Sequence, residues 1–148
     1  MKELVFALEF KGSAAPVPGS ENRLRARTTA SGQTLRSVVK PDGVQAAIEP
    51  AGGDPITFES EVEILGDGAF LESGSIGYGA AGKIQFKTLG RGHIGPSPQP
   101  DLQRGAVIWE VTGGEGRFKG AQGLITSNFT VGGGGEVVDD HFVRLFLP

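Results

Sequence analysis

The chain has 148 residues, a net charge of −3, no cysteine and 25 glycines. That length suits one domain spanning residues 1–148, and the acidic balance argues against a nucleic-acid partner, which wants a basic face. The lack of cysteine excludes disulfides, thiolate metal sites and a cysteine nucleophile, and the glycines follow no collagen-like period.

Leu4, Phe6, Leu8 and Phe10 alternate with Val5, Ala7, Glu9 and Lys11, the period of two expected of a strand. Glu3 and Glu9 interrupt the apolar run and no small-residue cleavage site follows, so no signal peptide is expected. No stretch has the apolar length to span a bilayer. A cytoplasmic protein with no membrane partner is the resulting expectation. Gly12 to Asn22, rich in Pro and Gly, reads as a loop across a barrel end.

Leu24 to Thr29 reads as a strand, with Arg23, Arg25 and Arg27 on one face. Gln33 to Val39 and Val44 to Glu49 are two further strands around Pro41-Asp42-Gly43, where Pro presets φ and Gly accepts a positive one. In the next run, Ile56, Phe58, Ser60, Val62 and Ile64 oppose Thr57, Glu59, Glu61, Glu63 and Leu65. The arginine row and this glutamate row suit cross-strand pairing on a wet outer face. Ala69 to Tyr78 and Lys83 to Leu89 follow as strands, and Gly90 to Arg104 is the longest irregular piece. Gly77-Tyr78-Gly79-Ala80-Ala81-Gly82 matches G-x-G-x-x-G, but a strand follows where a dinucleotide site needs a helix, so it reads as a turn.

Gly105 to Val131 organises the rest. Val107, Trp109 and Val111 alternate with Ala106, Ile108 and Glu110. Gly113, Gly114 and Gly116 then let the chain reverse or bulge. Phe118 is the one large apolar group in the loop and reads as a plug under the sheet end, before Leu124 to Val131 forms the next strand. Gly132 to Gly135 is flexible and His141 to Leu147 is the last strand. Asp139, Asp140 and His141 are metal-ligating types. Consecutive strand residues point to opposite faces, however, so no metal site is expected. Short strands at regular spacing with turn signals indicate a sandwich or a barrel, and a barrel removes the edges.

The segment from Val111 to Gly123, with its G-G-x-G-x-F-x-G-x-x-G spacing, resembles one shared by the allene oxide cyclase barrel, the plant dirigent barrel and similar small bacterial barrels. The match falls in the last third of the chain. The resemblance implies an all-β, closed, antiparallel barrel of about eight strands with a central cavity. It also implies no cofactor and a homodimer or homotrimer. In the cyclases the first strand carries a Glu-x-Asn pair facing the cavity. Here that region reads Glu9-Phe10-Lys11, which keeps the Glu and replaces the Asn. Glu9 and Glu110 are the candidate acid/base residues, since a carboxylate inside an apolar barrel has a raised pKa; the other reading of Glu9 is that it faces solvent or pairs with an arginine. Trp109, Tyr78, Phe142 and Arg144 are the candidates for contacting a ligand, Arg144 through paired hydrogen bonds; the other readings are that Trp109 and Phe142 fill the interior and that Arg144 makes a surface ion pair. Three expectations stand side by side: a cofactor-independent isomerase or cyclase acting on a hydrophobic substrate, a non-catalytic binding protein for a small hydrophobic molecule, and a solid barrel that serves assembly.

Overall fold

The structure, a computed structural model, describes residues 1–148 and consists of eleven strands, one 3-10 turn at Gly79–Ala81 and no α-helix. The strands are β1 (Lys2–Pro16), β2 (Arg23–Ala30), β3 (Gln33–Lys40), β4 (Gly43–Pro50), β5 (Ile56–Gly66) and β6 (Ala69–Tyr78). They continue with β7 (Gly82–Thr88), β8 (Gly92–Pro96), β9 (Leu102–Gly116), β10 (Gln122–Gly132) and β11 (Glu136–Leu147). Eight of them close a ring in the order β1-β2-β5-β6-β7-β9-β10-β11, every pairing antiparallel and β11 returning to β1. The expected closed eight-stranded barrel is therefore the observed fold. No helix is long and apolar enough to cross a membrane.

Three segments depart from the expected pattern, each for a local reason. The chain does not loop out at Gly12: β1 continues to Pro16, paired with β2. A Cβ at Gly12 would lie 2.1 Å from the carbonyl oxygen of Arg27, so only glycine permits this close approach. Within the irregular stretch, β8 pairs with Ala69–Phe70 of β6 on one side and Gln103–Ala106 of β9 on the other, beyond the end of β7. Of the reversal or bulge expected at Gly113, the chain bulges there and reverses later. Gly113 and Gly114 stay in β9 opposite Gln85 and Ile84 across a register shift, and the turn occupies Arg117–Ala121. Phe118 is buried there, its backbone against Gly114 and its ring 5.2 Å from that of Tyr78.

β3 and β4 form a hairpin outside the ring. Ala30 and Ile56 are direct partners in the β2–β5 ladder, so the chain leaves the barrel and returns to the same point. The side chain of Gln33 ties the hairpin base to the Glu9 backbone, accepting from its N–H at 2.9 Å and donating to its carbonyl at 3.2 Å. On the outer wall, Arg23, Arg25 and Arg27 stand opposite Glu63, Glu61 and Glu59, with ion pairs at 2.8 Å (Arg23–Glu61) and 3.2 Å (Arg27–Glu59). The expected row pairing is present, and at this exposure each pair contributes about 0.2–1 kcal/mol.

The core lies inside the ring. Phe10, Phe58, Phe86, Trp109 and His141 make an aromatic layer across its middle, with Phe10 stacked on His141 at 4.3 Å and Phe86 packed on Trp109 at 4.5 Å between centroids. One half of the barrel, toward Tyr78, Phe118 and Leu145, is filled by packed side chains. The other half is hollow.

Candidate functional site

The hollow is an apolar cavity of about 70 Å³. Its walls come from the C-terminal ends of β1, β5 and β10, the N-terminal ends of β2, β6 and β11, and β8. Leu24, Val62, Phe70, Ile94, Phe129 and Val131 supply most of the apolar lining, and Phe58 of the aromatic layer closes its floor. Only three polar side chains reach it: Thr28, Glu72 and Asp139.

These three polar residues are inward by strand phase. Glu72 occupies the inward series Phe70, Glu72, Gly74, Ile76 of β6, and Asp139 the series Val137, Asp139, His141, Val143, Leu145 of β11. Each carboxyl is held by side chains from other strands. The Ser60 hydroxyl donates to Glu72 Oε2 at 2.5 Å and the Trp109 indole N–H donates to Oε1 at 3.2 Å. The Ser127 hydroxyl donates to Asp139 Oδ1 at 2.6 Å, and His141 Nε2 lies 2.9 Å from Oδ2. His141 Nδ1 has no partner and lies among aromatic rings. The neutral tautomer with its hydrogen on Nε2 satisfies Asp139 and leaves no N–H unpaired.

Burial pushes the Glu72 carboxyl up to about 7. The Ser60 hydrogen bond opposes the rise, the negative charge of Asp139 adds to it, and the Trp109 hydrogen bond opposes it. Of the two carboxyls that line this apolar space, Glu72 is the one whose proton affinity is raised into the range that general acid–base chemistry uses near neutral pH, and Asp139 is held by Ser127 and His141. Thr28 Oγ1 is the third group. Thr28 is 3% exposed and its hydroxyl has no hydrogen-bond partner in the protein.

None of the six candidates read from the sequence lines the cavity. Glu9 faces the outer wall, because Leu8 and Phe10 take the inward phase of β1. It lies half-buried, 3.9 Å from Lys11, beside Asp140 of β11. Burial, then a hydrogen bond with Glu9 and the charges of Glu9 and Asp139, raises Asp140 to about 7, but this carboxyl pair lies outside the barrel. Glu110 is exposed because Trp109 points in. Phe142 is 50% exposed and Arg144, ion-paired with Glu3, is also outside, since Val143 and Leu145 take the inward phase of β11. Trp109 is inside but forms part of the floor and holds Glu72 rather than lining open space. Tyr78 packs in the filled half against Phe6 and Phe118, and burial raises the pKa of its hydroxyl.

Sequence reasoning missed Glu72, Ser60, Ser127 and Thr28, and it weighs Asp139 and His141 only as metal ligands. Although neighbours in a strand diverge, residues two apart share a face, and it is Asp140 alone that points away. No family model, curated protein or solved structure matches this chain.

Proposed function

We propose that this protein is a cofactor-independent isomerase that acts on a compact, largely apolar molecule inside the barrel by moving a proton. The observation that carries the reading is the pair of carboxyls, Glu72 and Asp139, on the wall of an otherwise apolar cavity. A solid structural barrel would fill this half as it fills the other. A simple carrier of hydrophobic molecules would gain nothing from two buried carboxyls, each of which costs several kcal/mol to desolvate. Apolar walls hold the substrate by burial and orientation, Glu72 supplies or holds a proton, and Asp139 accepts one. The reading draws support from the resemblance of the Val111–Gly123 segment to the cyclase and dirigent barrels. A cytoplasmic location and a homo-oligomeric assembly belong to the same proposal.

An enzyme of this kind exchanges a carbon-bound hydrogen with solvent. The test is to incubate the protein with a small-molecule extract of its own host in deuterium oxide and follow label by mass spectrometry. At least one small molecule should gain carbon-bound deuterium with the wild type and not with Asp139→Asn. An extract in which nothing is labelled, or is labelled equally by the variant, overturns the reading.

A further inference from the structure

Five large apolar side chains, each 43–50% exposed, gather on one outer face of the barrel: Val5, Leu89, Ile108, Leu124 and Phe142. Ladder register sets them side by side. Phe142 of β11 lies between Ala7 of β1 and Thr126 of β10, and Thr126 is paired with Ile108 of β9. Leu89 follows β7, its N–H donating to the Ile108 carbonyl at 2.8 Å. In the adjacent row, Leu124 lies between Glu110 of β9 and Arg144 of β11, with Val5 beyond Arg144. All of these point outward because Trp109, Ile125 and Val143 take the inward phase of the same strands. A contiguous apolar patch rimmed by charge marks an interaction surface.

The charges decide which partner fits. Across β9, β10 and β11 one row reads Glu110, Leu124, Arg144: negative, apolar, positive, with Leu124 at the midpoint. Rotated half a turn about a line along β10, that row becomes its own complement. A second copy laid face to face about this axis sets its Arg144 over Glu110 and its Glu110 over Arg144. Leu124 and Thr126 then meet their own counterparts, Ile108 meets Phe142, and the large Leu89 meets the small Ala7. A two-fold axis running across the strands at this row would set each charge on its like, which destabilises.

We infer that the chain forms a two-fold symmetric dimer through the outer faces of β9, β10 and β11, with a Glu110–Arg144 pair on either side of a Leu124–Leu124 contact. The inference rests on the homo-oligomeric part of the reading above and not on its cavity chemistry. At ordinary strand spacing, four strands and the outward positions of β10 from Gln122 to Asn128 make a face of about 500 Å² on each copy. Two such faces bury about 1,000 Å², the small end of specific interfaces, which suits a dissociation constant of about 10–100 µM. The protein is then a monomer when dilute and a dimer when concentrated. Because the axis runs along the strands, both barrels point the same way and their hollow halves lie at the same end of the dimer.

Sedimentation velocity on the full chain tests this. From about 1 µM to about 500 µM, the wild type should rise from the mass of one chain toward that of two. Glu110→Arg sets arginine against arginine twice, and Arg144→Glu sets glutamate against glutamate twice. Each should raise the dissociation constant by at least about tenfold. An equimolar mixture of the two variants restores both opposite-charge pairs and should dimerise as the wild type does. Dilution of the wild type should also shift the amide NMR signals of Leu124, Thr126 and Phe142, a reading that needs no variant. A wild type that stays at one chain overturns the inference, as does a trimer. So do variants that associate as the wild type does, a mixture that does not recover, or dilution shifts confined to another face. None of these results touches the isomerase reading, because turnover inside one barrel needs no second copy.

Discussion

Replacing Glu72 by Gln tests the electrostatics of the interior without changing its shape. The carboxyl sits at about 7 in the folded chain against an ordinary value of 4.5. The folded state therefore holds this proton more tightly than the unfolded chain does. The stability that protonation confers is complete below about pH 4.5 and is lost as pH rises through about pH 7. Each pH step of one between those two values is worth about 1.4 kcal/mol, so the loss amounts to about 3 kcal/mol. Gln keeps an acceptor for the Trp109 N–H, and its amide can donate to a rotated Ser60 hydroxyl, so the variant should fold. Urea unfolding of both proteins from about pH 4.5 to about pH 8 gives two stability curves whose difference isolates Glu72, because the exposed ion pairs and Asp140 contribute to both. The variant should gain on the wild type by about 3 kcal/mol as pH rises across that window. Two parallel curves would show that Glu72 does not carry its charge change across this range, and the assignment of Glu72 as the proton-bearing group would be refuted.

Two stability predictions follow from the fold. Phe118→Ala should cost about 3–5 kcal/mol, the usual penalty for deleting a buried aromatic, because its ring packs under the turn against Tyr78; an unchanged Tm would show that the filled end does not depend on it. Replacing residues 31–55 by an Asn-Gly turn should leave the barrel within about 1 kcal/mol of the full chain, since Ala30 and Ile56 already face each other in the β2–β5 ladder and two residues suffice to join them. Loss of the dispersed NMR spectrum in that shortened chain would mean that the hairpin supports the barrel.

Strand alternation made the barrel legible, because its walls read as runs such as Ile56, Phe58, Ser60, Val62, Ile64 with a polar series between them. The same alternation contained the answer for Glu9 and Glu110. Each is flanked by a larger apolar residue, Phe10 or Trp109, that competes for the inward phase and wins on buried area. Judged by phase rather than by being polar among apolar neighbours, the inward carboxyls are Glu72, in step with Phe70 and Ile76, and Asp139, in step with Val137 and Val143. What phase alone does not give is company. Ser60 meets Glu72, and Ser127 meets Asp139, across 12 residues of sequence in each case, and Trp109 reaches Glu72 across 37. Those encounters depend on ladder register and on how far the ring staggers as it closes.

The position of the carboxyls follows from the aromatic layer that divides the interior. A carboxyl in the filled half would have aliphatic and phenyl neighbours and a single hydroxyl, that of Tyr78. A carboxyl at the open rim would be hydrated, with its proton affinity little changed. At the layer itself, the indole of Trp109 and the imidazole of His141 present polar edges from within an apolar stack. Ser60 and Ser127, which also point inward, add the hydroxyls that complete each set. The layer that seals one half is thus also the one place where buried charge can be both desolvated and partnered, and the hollow begins where it ends. The proton chemistry proposed for this barrel is confined to that boundary, and a molecule must enter as far as the floor to meet it.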